Sequence, residues 1–268
     1  MLFKLVCLNI VMKNLKETTH ENIQIYIGYD SNTAVAYHVL SHSIHARATH
    51  PVSITPIKLS EIKKIYNHPC EIFQSTEYSF SRFLVPYLNN YQGWALYMDC
   101  DMLVLKDIAK LWSLRDPRYA VMCTKHDHIP REQKKALGVP QKIYDKKNWS
   151  SLMLMNCAKC TVLTQNYVNN TKGLALHQFD WLKSDKQIGR IPLKWNHLVD
   201  FLETQPLNKI SNLHYTSGGP YFNDYTNCGY ATVWINELHD MIYSKQISNT
   251  KHVQTKQKPS LQLFKKYK

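Results

Sequence analysis

The feature that most constrains this chain is Trp94-Ala-Leu-Tyr-Met98, a short apolar run that leads straight into Asp99-Cys100-Asp101. A run this short and apolar throughout suits a strand buried on both faces, the kind that parallel sheets require. Acidic residues directly after it then sit at the strand's carboxyl end, where open α/β sheets leave their binding crevice. Two carboxylates held together at a buried edge are costly unless a cation compensates them. Hard oxygen donors favour Mg²⁺ or Mn²⁺, which also accept diphosphate oxygens. The competing reading is a set of ordinary turn carboxylates, Asp101 and Asp107 capping local structure.

The same pattern recurs along the chain. Ile23-Gln-Ile-Tyr-Ile-Gly-Tyr-Asp30 alternates and is rich in β-branched and aromatic residues, which predicts a strand ending at Asp30. In residues 34–48, Val35, Val39 and Ile44 fall at near-helical spacing, so strand, turn and helix open an α/β unit. Residues 51–59 read as a second extended segment, 60–66 as a short capped helix, and 80–88 as a helix kinked or ended near Pro86. Residues 119–123 form another apolar strand followed by Lys125-His-Asp127-His128, and residues 151–155 a third of this type. The repeat predicts an open sheet with ligands at the strand carboxyl ends. Farther on, Leu213-His-Tyr-Thr-Ser-Gly-Gly-Pro-Tyr-Phe222 is a Gly-rich turn, and the N–H groups of Gly218 and Gly219 can cradle phosphate oxygens. His214 is either a satisfied core histidine or the third member of an Asp-Asp-His set that prefers Mn²⁺ somewhat over Mg²⁺.

At 268 residues the chain can bury a full core. Its 33 Lys and Arg against 20 Asp and Glu leave a net charge of +13, a field that attracts phosphates, anionic lipid or nucleic acid. That balance admits a second function class, a non-catalytic basic α/β module holding nucleic acid or an anionic membrane surface. Such a module needs no paired carboxylates, so metal-dependent nucleotide binding separates the two classes. The 7 cysteines show no regular framework, and Cys157-Ala-Lys-Cys160 lacks a second CxxC to complete a zinc site; both read as core and turn residues of a reducing compartment. The first twelve residues are too short and interrupted to span a bilayer. The expectation is a soluble, cytoplasmic protein, peripheral at most to a membrane. It has an N-terminal extension over residues 1–21, one domain over 22–240 and a basic tail over 241–268; residues 131–147 form an exposed charged helix or loop.

Four segments in one order, Tyr29-Asp-Ser-Asn32, Ser81-Arg-Phe83, Leu96-Tyr-Met-Asp-Cys-Asp-Met-Leu-Val104 and His214-Tyr-Thr-Ser-Gly-Gly-Pro-Tyr221, give the chain a resemblance. Over residues 22–222 it resembles family 8 and related retaining nucleotide-sugar glycosyltransferases of the GT-A fold. The resemblance implies a Rossmann-like α/β architecture, an open mixed sheet flanked by helices. It also implies Mn²⁺- or Mg²⁺-dependent, retaining transfer of a hexose from a nucleotide diphosphate sugar, UDP-sugar foremost, to a hydroxyl of a glycan, lipid or protein.

Residue by residue, it implies that Asp30 and Asn32 hold base and ribose, Arg82 lies near the diphosphate and sugar, and Asp99, Asp101 and His214 ligate the metal. Asp127 matches an aspartate on the donor sugar, and Tyr29 either stacks on the base or fills the strand end. The chain also departs from the family. Where Asn-Ala-Gly or Asn-Ser-Gly is common it has Asn148 followed by Trp149-Ser-Ser151, which makes Asn148 and Ser150 the donor-sugar candidates. Where a lysine follows the metal-binding histidine it has Gly218-Gly219-Pro220, so backbone amides, Arg82 or another lysine must meet the diphosphate. The Asp-Gln pair at the reacting face is echoed by His177-Gln178; Gln178 and its rival Asp180 are the catalytic candidates, and no nucleophile is assigned. Trp181, Trp195 and Asn196 form either an acceptor-side wall or core.

Overall fold

Strand β1 (Ile23–Gly28) runs parallel to both of its neighbours, β2 (Val52–Ile57) and β3 (Trp94–Met98). The computed structural model describes residues 21–71, 74–127 and 144–243. The predicted N-terminal extension up to residue 20, His128, most of the charged 131–147 stretch and the basic tail beyond residue 243 lie outside the described residues.

A six-stranded sheet has the order β2-β1-β3-β6-β5-β7, and a three-stranded sheet the order β4-β9-β8. In the larger sheet β6 (Leu152–Asn156) is antiparallel to both β3 and β5 (Val121–Cys123), while β7 (Ile188–Arg190) is parallel to β5. The sheet is therefore mixed, as the resemblance implies. Ile23, Ile25 and Ile27 are fully buried, as are Ala95 through Met98 and Leu152 through Met155. Removing so much apolar surface from water drives these strands to the centre. Edge position suits β2, because its Pro56 cannot donate to a second neighbour.

One strand reads differently from expectation. Met98 pairs with Leu152 and Cys123 with Met153, so the amino end of β6 lies beside the carboxyl ends of β3 and β5. The polar residues that reach the binding edge are thus those before β6, Asn148 to Ser151, and not those after it. A uniformly apolar strand has the same pattern in either direction, which is why sequence alone assigned the wrong end.

The smaller sheet sets β9 (Asn212–His214) between β4 (Met102–Val104) and β8 (His197–Leu198). Against β4 packs α1 (Ala34–His45), which also meets the last described helix. Short helices α2 (Val85–Leu88), α3 (Ala109–Trp112), α4 (Gln165–Asn170) and α5 (Gly173–His177) precede that helix, α6 (Ala231–Ile242).

Pro86 neither kinks nor ends a helix: a 3-10 turn over Ser81–Leu84 comes first, and Pro86 falls in the first turn of α2, where its missing N–H costs nothing. Residues 60–66 form turns closed by bonds such as Tyr66 N–H to the Ile62 carbonyl, not the expected helix. Only Tyr66 of that segment is buried, too little to offset helix nucleation. Cys157 and Cys160 are buried free thiols, as expected, and burial pushes the Cys157 thiol up to about 12. No helix among the described residues is long and apolar enough to cross a membrane.

Candidate active site

The carboxyl end of β3 builds the site's acidic half. Tyr97 and Asp99 are two residues apart, hence on one side of the strand, and the Tyr97 hydroxyl donates to Asp99 Oδ1 at 2.8 Å. Arg82 Nη1 lies 2.9 Å from the same oxygen. The guanidinium is itself fixed: Nε donates to the Ser79 carbonyl, Nη1 donates to the Ser150 carbonyl, both at 2.9 Å, and the rings of Tyr78 and Tyr97 flank it. Burial pushes the Asp99 carboxyl above its ordinary range, with Arg82 pulling the other way. Burial likewise works against the Arg82 charge, but Asp99 together with the neighbouring tyrosines Tyr97, Tyr78 and Tyr144 outweighs it, so the guanidinium stays protonated. Cys100 turns the opposite way, buried against the Tyr78 hydroxyl at 3.5 Å.

Pairing of β4 with β9 supplies the third ligand. Met102 is opposite His214, and Tyr215 N–H donates to the Asp101 carbonyl at 2.9 Å, so the histidine lands beside the acidic pair. His214 Nε2 lies 3.2 Å from Asp101 Oδ1, and His214 Nδ1 lies 2.9 Å from Asn196 Oδ1. One ligand atom from each of Asp99, Asp101 and His214 falls within 4.8 Å of the others. Two carboxylate oxygens and an imidazole nitrogen at this spacing fit Mn²⁺ or Mg²⁺ with coordination positions left for phosphate oxygens.

Asp99 and Asp101, with the buried His214 beside them, face a cleft of about 200 Å³ whose lining also includes Asp30, Asn32, Arg82, Lys147, Asn148, Ser150, His177, Thr216, Ser217 and Gly218, though not His214 itself. The sequence candidates fare unequally in it. Asp30 is buried and spends both oxygens on local structure: Oδ1 accepts from the Asn32 N–H at 2.9 Å, and Oδ2 from the Glu77 N–H at 3.0 Å. Asn32 is exposed at the rim. Tyr29 packs edge-on against Tyr37 under the Lys58 ammonium and is outside the cleft lining.

Gly218 adopts φ +145, and the Tyr225 ring fills the space a side chain would need. Its N–H, however, donates to the Tyr215 carbonyl at 2.9 Å, so it is not turned toward a phosphate; Gly219 is outside the lining. Asn148 Nδ2 and Ser217 Oγ are buried in the lining without a hydrogen-bond partner among the described residues. Such groups are costly unless a ligand or water meets them. The Ser150 hydroxyl bonds His177 Nδ1 at 2.7 Å.

Asp127, Gln178 and Asp180 are outside the lining. Asp127 is exposed, and Phe179 at φ +60 turns the chain away after His177, so His177 enters the cleft in place of Gln178. Trp181 and Trp195 are core, whereas Asn196 holds His214.

Lys147, His177 and Tyr97 escaped the sequence reading as site residues. For Tyr97 the signal was present, since period-two spacing puts it beside Asp99. Lys147 carries no local pattern that marks it, and His177 enters the sequence reading only as the neighbour of Gln178 in the echoed pair.

A family model, Glycosyl transferase family 8, matches residues 1–164, more than half of the chain. The chain is 44% identical over 230 residues to Protein CDI of Arabidopsis thaliana, spanning 83% of this chain and 88% of that protein. Among solved structures it is similar to the galactosyltransferase LgtC in complex with donor and acceptor sugar analogues, at a TM-score of 0.52 and 14% identity over 81% of this chain and 96% of that one. It is similar also to the glycosyltransferase GlyE of Streptococcus pneumoniae, at 0.53 and 16%, and to the bifunctional WbbM, at 0.53 and 14%. In each case 81% of this chain is covered, but it spans only 60% of GlyE and about half, 49%, of WbbM. At such identities the structures speak for the fold and the family match for the activity: the chain belongs to glycosyl transferase family 8, and it is a glycosyltransferase of the GT-A fold.

Proposed function

We propose that this glycosyltransferase moves a hexose from a UDP-sugar to a hydroxyl of a glycan, lipid or protein acceptor, with Mn²⁺ or Mg²⁺ and with retention of configuration. The observation that carries the reading is the convergence of Asp99, Asp101 and His214, the two carboxylates of which line the cleft. When bound, the divalent ion supplies charge neutralisation to the diphosphate as it leaves.

The chain's own residues do the rest. Arg82 holds the Asp99 carboxylate in place while carrying positive charge into the cleft wall. Lys147, 7% exposed, is the lysine that lines the cleft among the described residues, and with Arg82 it meets the diphosphate charge that the Gly218 amide does not. Asn148 Nδ2 and Ser217 Oγ offer hydrogen bonds that a sugar or phosphate oxygen accepts. His177, oriented through Nδ1 by Ser150, takes the place beside the sugar that Gln178 was expected to fill.

Membership of an enzyme family displaces the alternative of a non-catalytic basic module. The test is a thermal-shift panel of nucleotides and nucleotide sugars with and without Mn²⁺, since a ligand selective for the native state raises its stability. A shift with UDP or a UDP-sugar that requires Mn²⁺ is the expected result. No shift with any nucleotide on a folded sample overturns the donor assignment.

A further inference from the structure

A chain of buried hydrogen bonds runs from the backbone of the loop before β6 to the imidazole of His214, and its directions are fixed from one end. The Ser151 hydroxyl lies 2.7 Å from the Asn148 carbonyl oxygen. A carbonyl only accepts, so this bond consumes the single hydroxyl hydrogen of Ser151. The same hydroxyl oxygen lies 2.9 Å from the Asn196 side-chain amide, and with its hydrogen spent it can only accept there. The Asn196 NH₂ must therefore face Ser151, which turns the Asn196 carbonyl oxygen toward His214 Nδ1, 2.9 Å away. That oxygen also only accepts, so Nδ1 must carry a proton. Asn196, Ser151 and His214 are 0%, 2% and 1% exposed, which leaves no solvent to reverse a link.

We infer that Asn196 and Ser151 are positioning residues that relay the acceptor character of the Asn148 carbonyl to His214, excluding the tautomer with its lone pair on Nδ1 and its proton on Nε2. In the neutral ring the lone pair then sits on Nε2, the nitrogen that faces Asp101 Oδ1 at 3.2 Å. The relay thereby leaves Nε2 as the nitrogen with a lone pair to offer, which presets the ring as a ligand. Asn148 itself holds φ +65, the left-handed region asparagine tolerates better than most residues, and Thr216 Oγ1 reaches its side-chain oxygen at 3.5 Å. The start of β6 and the His214 loop are thereby fastened together.

The placement of the proton rests on the hydrogen bonds alone; its consequence for metal affinity rests on the donor-site reading above. The decisive experiment records long-range ¹H–¹⁵N correlations of the histidine rings in metal-free, ¹⁵N-labelled protein at about pH 8, above the ordinary histidine range. The His214 signals are assigned by their loss in His214→Gln. A protonated Nδ1 is expected; a bare Nδ1 overturns the relay.

Mn²⁺ titrations of variants test its consequence. Asn196→Leu and Ser151→Ala should weaken Mn²⁺ binding by roughly 10–100-fold, the usual cost of losing an outer-shell partner. Asn196→Asp keeps an acceptor at Nδ1 but loses the donor to Ser151 Oγ, so its Mn²⁺ affinity should fall less than that of Asn196→Leu. Unchanged Mn²⁺ affinity in folded Asn196→Leu and Ser151→Ala proteins overturns the role in ligation. Wild-type protein that binds no Mn²⁺ refutes the donor-site reading, and the Nδ1 measurement still decides the relay.

Discussion

Asp99 shows how much a single position carries. Its carboxylate is a candidate metal ligand, an acceptor for Tyr97 and the counter-ion of Arg82, all at the end of a buried strand. Removing one partner of a buried ion pair strands the other at a cost of about 3–5 kcal/mol, so mutating Asp99 or Arg82 confounds chemistry with folding. Lys147 lines the same cleft and is the probe of the diphosphate site, whereas Arg82 also fastens the Ser79 and Ser150 carbonyls. Lys147→Ala is expected to raise the donor KM about tenfold or more, to lower Mn²⁺-dependent UDP binding by a similar factor, and to leave metal-only binding intact. Isothermal titration with UDP and then with Mn²⁺ alone separates these effects; unchanged UDP affinity would remove Lys147 from the diphosphate site.

At the scale of elements, legibility followed burial pattern. The strands β1 and β3 were readable because apolar runs stop at charged residues, and the stop is what places Asp30, Asp99 and Asp101 on one edge. The direction of β6 was not readable, because Leu152 through Met155 carry no asymmetry and only pairing with β3 and β5 decides it. Nor was the role of Asn196 in the site, which arises from a bond to a residue 18 positions away.

Capping by Asp107 joins a local bond to a distant one. Asp107 Oδ1 accepts from the Ala109 N–H at 3.0 Å at the start of α3, and Oδ2 accepts from the Thr49 hydroxyl at 2.6 Å. Burial alone would raise its carboxyl, but the bonds from Thr49 and Ala109 outweigh that and hold it below the ordinary value of 3.8. A depressed carboxylate contributes stability above its unfolded pKa and loses it as pH falls through the folded value. Asp107→Ala should therefore cost about 1 kcal/mol at neutral pH. The gap to wild type should close as urea melts are repeated below about pH 4; a gap independent of pH would mean that the lost contacts are not those of the carboxylate.

For the whole molecule, the question is whether the metal-bearing edge and the helices behind it behave as one unit. The second apolar cluster, which includes Val39, Leu213, Tyr215 and Trp234, joins α1, β9 and α6 directly behind His214. Across its rim the buried Glu237 of α6 accepts from Arg47 at 2.6 and 3.0 Å and meets His42 at 2.7 Å, closing α6 onto α1. Arg47 and His42 are about 30% exposed, so water compensates them partly when the carboxylate is removed. Glu237→Ala should then cost nearer 1–3 kcal/mol than the full price of a buried pair. At roughly 2–4 °C per kcal/mol for a chain of this size, the melting temperature falls by several degrees.

None of these three side chains lines the cleft. If α6 serves only as a lid on the apolar cluster, the variant should melt earlier in one cooperative transition yet show the same Mn²⁺-dependent increment on adding UDP. A variant that melts early and loses that increment would show that α6 also holds His214 in register with Asp99 and Asp101, because the helix reaches the ligand through Tyr215 and the core they share.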